Sequence, residues 1–133
     1  MSMQKIVVSP EAIEKEIGSM TEAEIDELPF GAIELDLEGK VLKYNRFEED
    51  LANRKREDVT GKNFFTDVAP CTKVKNFFGV FQEGTRRKSL NEVFDFMFMF
   101  RAGAREVRIR MIYSDSPRPG VWIFVTPITS RST

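Results

Sequence analysis

One thiol, Cys71, is the obvious candidate for covalent chemistry in a 133-residue chain that contains no histidine. A cysteine reacts as its thiolate, so it needs a neighbour or a helix N-terminus that lowers its pKa. Cys71 follows Ala69-Pro70 and precedes Thr72, a residue suited to capping the next helix. A thiol placed there is favoured as thiolate by the helix dipole. Read by itself, though, a lone cysteine packs first as a small hydrophobe. The second candidate is Tyr44 with Glu48, four residues apart. On a polar helical turn Glu48 is by default an exposed carboxylate; turned inward beside Tyr44 it becomes a neutral acid, because burial disfavours its charge. Arg54 reads first as a surface cation and second as the lid of a pocket. Phe64 and the alternating Phe94, Phe96, Phe98 and Phe100 read first as sheet core and second as walls of an aromatic slot.

The elements that must position these residues follow from periodicity. Ser9-Pro10-Glu11 opens a short helix as N-cap with proline at the first position, carrying Ile13, Ile17 and Met20 on one side and ending near Gly18 to Met20. Thr21 to Glu24 is a capping-box pattern for a second helix that buries Ile25 and Leu28 and stops before Pro29. Ile33 and Leu35, then Val41, flank a turn at Leu37-Glu38-Gly39, which predicts a hairpin from Gly31 to Asn45. Arg46 to Asp67 reads as short helical turns. Val74, Phe77, Phe78 and Phe81 recur at helical spacing, predicting a longer helix capped by Thr72, with Gly84 near its end and Arg86-Arg87-Lys88 as its solvated terminus. Three strands follow: Val93–Phe100, Arg105–Tyr113 and Val121–Val125, with turns at Ala102-Gly103-Ala104 and Asp115–Gly120. The expectation is an α+β fold, a five-stranded antiparallel sheet with helices packed on it, behind an N-terminal helical cap.

Composition narrows the function. Twenty Lys and Arg against 21 Asp and Glu leave a net charge of -1, which advertises neither nucleic acid nor a disordered acidic tail. The absence of histidine and of a second cysteine predicts no metal site and no internal disulfide, and it removes the usual base of a thiol or serine hydrolase. An enzyme is therefore not expected. No apolar run reaches the ~18 to 20 residues of a bilayer span, and Met1–Val8 lacks the apolar core of a signal peptide, so a cytoplasmic protein without membrane contact is expected.

Taken together these positions resemble the photoactive yellow protein family of PAS-fold light receptors, from about Val8 to Thr126. The block from Gly61 to Thr72, with Phe64-Phe65-Thr66-Asp67-Val68-Ala69-Pro70-Cys71 at its centre, resembles the family's chromophore-attachment segment, Thr66 being its main departure. Phe30-Gly31-Ala32-Ile33 and Tyr44-Asn45-x-x-Glu48 resemble its hairpin and buried acid pair. The resemblance implies a cap over residues 1–28 and a PAS core over 29–133. It implies 4-hydroxycinnamic (p-coumaric) acid in thioester linkage on Cys71, with Tyr44 and Glu48 bonding its phenolic oxygen and Arg54 covering its ring. Phe64, Val68, Phe98 and Phe100 would be its apolar walls, with Ala69, Pro70 and Thr72 in contact beside the thioester. It further implies trans-to-cis photoisomerisation, proton transfer from Glu48, partial unfolding as the signal, and a separate downstream signalling partner for a monomer or weak dimer. Three further positions depart from the family's pattern. Ala52 stands where a hydroxyl supports the tyrosine, Phe100 where a tyrosine is common, and Ala102 where a methionine is linked to fast recovery, so slow return to the dark state is expected. The alternatives are a PAS interaction module with no covalent chromophore and a thiol enzyme using Cys71.

Overall fold

The computed structural model describes residues 9–128; the reading of Met1–Val8 as no signal segment lies outside them. Ser9 accepts a hydrogen bond from the amide of Ala12 and starts α1, Pro10–Ile13. After a 3-10 turn at Ile17–Ser19, α2 spans Glu22–Asp26 behind the complete capping box of Thr21 and Glu24. The first predicted helix is thus two separate turns, which still bury Ile13 and Ile17. The hairpin is β1, Gly31–Leu35, and β2, Val41–Tyr44. The polar stretch folds as α3, Arg46–Ala52, α4, Arg56–Val59, and a π-helical turn at Phe64–Val68. A 3-10 turn at Pro70–Thr72 leads to α5, Phe78–Arg87, and the chain closes with β3, Asn91–Phe100, β4, Gly103–Ser114, and β5, Gly120–Pro127.

All strand pairs are antiparallel in the order β2-β1-β5-β4-β3, so the two chain-end strands of the hairpin and the meander meet in the middle. Because side chains alternate across a sheet, each strand feeds two cores. One face carries Ile33, Leu35, Val107, Ile109, Met111, Val121, Ile123 and Val125 under α3 to α5, with Phe64, Phe65, Phe77 and Phe81 filling the space. The other carries Ala32, Ile112, Trp122 and Phe124, covered by Ile13, Ile17, Ile25, Leu28 and Phe30 of the N-terminal segment. Burial on this scale, at about 25 cal/mol per Å² of apolar surface, holds the N-terminal turns in place; at four and five residues they are too short to be stable alone.

The long helix departs from expectation at its start. Thr72 does not cap it: its hydroxyl, fully buried, donates to the carbonyl of Ala69 at 2.7 Å, and the residue that precedes the helix is Phe77, with no side-chain cap. The chain instead turns at Val74, whose carbonyl accepts from the amides of Phe77 and Phe78, and the helix begins six residues after Thr72. Val74 is exposed, so the buried stripe is Phe77 and Phe81 alone. On β3 the aromatic face is inward as the alternation predicts, with Phe98 buried and the other three half-buried, while Met97 and Met99 face out.

Candidate functional site

Glu48 is the most unusual side chain in the fold. It sits in the first turn of α3, 1 % exposed, and its Oε1 has no hydrogen-bond partner among the described residues. Buried carboxylates are paired or neutral. Desolvation pushes Glu48 up to about 8, so near neutral pH it is mostly a protonated acid. The default reading of an exposed carboxylate is overturned because Asn45, not Glu48, takes the capping role. Asn45 Oδ1 accepts from the amide of Glu48 at 3.1 Å and from that of Ala32 at 2.9 Å, which turns the first helical turn toward the sheet. The amide nitrogen of Asn45 donates to the carbonyls of Ile25, 2.9 Å, and Phe30, 3.0 Å. One buried side chain thereby joins β1, α3 and the N-terminal segment.

Tyr44 ends β2 on the same sheet face and is 3 % exposed. Burial and the neighbouring Glu48 raise its pKa above the ordinary tyrosine value, so its hydroxyl remains a donor. Arg54 follows the left-handed residue Asn53, which ends α3, and its Nη1 donates to the carbonyl of Val68 at 2.7 Å. This bond ties the end of α3 to the segment that carries Cys71. Arg54 Nε is buried without a partner among the described residues. Arg54 is therefore half-buried and lines the cavity rather than standing on the open surface.

These three polar groups and the walls Phe64, Val68, Phe98 and Phe100 line one cavity of about 50 Å³. Phe98 and Phe100 stack at 4.5 Å between centroids. Ala69 lines it too, but Pro70, Cys71 and Thr72 do not. Cys71 is half-buried against the main core, in a 3-10 turn held by the amide of Thr72 and the hydroxyl of Thr72 on Ala69. It is not at the N-terminus of the long helix, which removes the helix-dipole argument made from the sequence. The segment that carries Cys71 is fixed upstream by Asn63, whose Oδ1 accepts from the amides of Phe65 and Thr66 and whose Nδ2 donates to the carbonyl of Glu38.

Four residues of the site had no role in the sequence reading. Met99 and Arg101 line the mouth of the cavity, which they reach because β3 ends there; strict alternation points Met99 outward. Asn45 was legible as an N-cap three residues before Glu48. Gly31 was quoted without a role, and only the structure shows what stands against it. Ala52 lines the cavity, whereas Ala102 is exposed in the β3–β4 turn.

A model of the PAS fold matches residues 19–128. Photoactive yellow protein of Rhodothalassium salexigens is 41% identical over 92% of this chain and 98% of its own length. That of Halochromatium salexigens is 41% identical over 85% of this chain and 90% of its own. Among solved structures, the photoactive yellow protein domain of a sensor histidine kinase from Rhodospirillum centenum superposes with a TM-score of 0.80 at 43% identity, covering 85% of this chain and 98% of that domain. With a PAS sheet, a buried acid–tyrosine pair at one cavity and relatives at this level over most of its length, the chain belongs to the photoactive yellow protein family of PAS-fold photoreceptors.

Proposed function

We propose that the chain senses blue light through 4-hydroxycinnamic acid in thioester linkage on Cys71. The observation that carries this reading is the pair of orphaned buried atoms, Glu48 Oε1 and Arg54 Nε, on side chains that share a cavity with Tyr44. Two neutral donors and a guanidinium around an apolar slot suit an aromatic oxyanion, whose short, charge-assisted hydrogen bonds offset its desolvation. When bound, the group supplies a phenolic oxygen with an ordinary pKa near ~10 and a double bond that light converts from trans to cis.

The chain's own residues do the rest. Tyr44 and protonated Glu48 would hold the group by donating to its phenolic oxygen, which would favour the ionised form. Arg54, braced on the Val68 carbonyl, closes the slot against water. The walls must part for an aromatic ring to enter a cavity this small, and Val68 and Phe100 are its half-buried apolar walls. With the group bound, Glu48 would be the residue to give up a proton toward the phenolic oxygen after illumination, which would leave a carboxylate in a desolvated site. An unpaired buried charge costs several kcal/mol, a large share of the ~5 to 15 kcal/mol that stabilises a domain. Movement of α3 toward water relieves it and drags Asn45, which lets go of Ile25 and Phe30. The N-terminal segment, residues 1–28, then leaves the core, residues 29–133, and this opening is the signal.

The chain acts on this reading as a receptor and not as an enzyme, in the cytoplasm, as a monomer or weak dimer that hands its signal to a separate protein. Among the described residues no helix is long and apolar enough to cross a membrane. One observation favours a PAS module without covalent pigment: Cys71 does not line the cavity. Apoprotein treated with activated p-coumarate separates the two. The proposal predicts a coloured protein whose intact mass rises by one hydroxycinnamoyl group, is restored by alkaline hydroxylamine, and does not change in Cys71→Ala. Colourless protein of unchanged mass contradicts it.

A further inference from the structure

Gly31 opens β1 opposite Val125, on the sheet face that packs against α3. A Cβ built there would overlap Oε1 of Glu48, stand 3.1 Å from its Cδ, and lie 3.3 Å from Cβ of Val125. The φ of Gly31 is one any residue can adopt, so conformational freedom does not explain the glycine; the space does. The carboxyl of Glu48 occupies the volume a side chain at position 31 would need. The geometry points to Gly31 as the positioning residue that lets the acid lie back against the sheet at the wall of the cavity, out of water.

The inference rests on Glu48 being the proton donor proposed above, but its test does not need the pigment. With alanine at 31 the carboxyl has to rotate away from β1, and the adjoining cavity is the open volume beside it. There it gains polar neighbours in Tyr44 and any water admitted past Arg54. Desolvation, the cause that raises its pKa, then weakens.

The experiment is a carbon-13 NMR titration of the side-chain carboxyl at position 48 in apoprotein, comparing wild type, Gly31→Ala, and Gly31→Ala combined with Glu48→Asp. The shorter acid withdraws the carboxyl by about one carbon–carbon bond, roughly 1.5 Å, and makes room for the new methyl group. In Gly31→Ala the titration midpoint should fall by about one pH unit or more toward the usual carboxylate range, and in the double variant it should rise again. A Gly31→Ala midpoint at or above the wild-type value overturns the inference. If Gly31→Ala does not fold, recovery of folding in the double variant supports the inference, since only the acid was shortened. Failure of the double variant to fold assigns the glycine to the contact with Val125 and overturns it. Wild-type apoprotein that takes up no pigment would sink the proposed function while leaving this outcome to be judged separately.

Discussion

Release of the N-terminal segment has to work against a specific ionic contact, and removing that contact should make release easier. Arg56 of α4 reaches across to α2: its Nη2 donates to Asp26 at 3.0 Å and its Nη1 to Glu22 at 3.3 Å, while Nε donates to Glu49 of α3 at 3.0 Å. Only the first two contacts cross from core to cap. The Asp26 pair is mostly shielded, with side chains 24% and 15% exposed, whereas Glu22 is 69% exposed. A hydrogen bond to a charged group contributes about 1.5 to 3 kcal/mol, taken at its lower end for partial exposure, and the exposed pair adds about 0 to 0.5. Arg56→Gln should therefore weaken cap docking by about 2 kcal/mol, which is about a 30-fold rise in the open population. Hydrogen exchange reads this directly. Amides of Ile25, Glu27 and Leu28, bonded within the cap, should exchange about 30-fold faster, with sheet amides such as that of Ile109 unchanged. Glu49→Gln leaves the Asp26 contact in place and should change cap exchange much less. Cap exchange within about twofold of wild type, or an equal rise throughout the sheet, would refute the reasoning.

The remaining predictions concern the buried acid and the recovery of the dark state. Glu48 has a folded pKa raised above its unfolded value, so the native state binds more protons between about 4.5 and about 8. Stability of the apoprotein should accordingly be greatest below that window and fall as pH rises through it, by an amount on the order of a few kcal/mol. Glu34, buried and also raised by desolvation, contributes in the same direction, so the difference between wild type and Glu48→Gln in denaturant melts isolates Glu48; a wild-type slope equal to that of the variant contradicts the burial. Asn45→Ala removes four hydrogen bonds in a buried setting and should cost roughly 2 to 5 kcal/mol in the same melts. Bleached holoprotein should take longer than about a second to regain its colour, and Ala102→Met should shorten that time.

Much of the fold was legible because the sequence states it more than once. Thr21 to Glu24 is a capping box in spelling and in geometry. The Phe94–Phe100 alternation fixes which face of β3 is inward, and the resemblance carried by Gly61–Thr72 and Tyr44-x-x-x-Glu48 picks out the cavity. What was hidden depends on tertiary partners. Thr72 spells a helix cap, but its hydroxyl donates to the carbonyl of Ala69, and the helix begins only six residues later, at Phe78. Glu48 by local pattern spells a solvated helix face; the resemblance implied its burial, and the packing of α3 on Gly31 with the Asn45 cap supplies the physical reason. Arg56 joins residues 30 and 34 positions away, a separation that no local pattern records.

Infrared difference spectroscopy of the reconstituted protein, light minus dark, tests most directly the claim that Glu48 is a buried acid that surrenders its proton on illumination. The account predicts loss of a protonated carboxyl stretch in the light, with that signal missing from Glu48→Gln. A light-adapted state that keeps the protonated band, or one in which the same loss persists in Glu48→Gln, would contradict it.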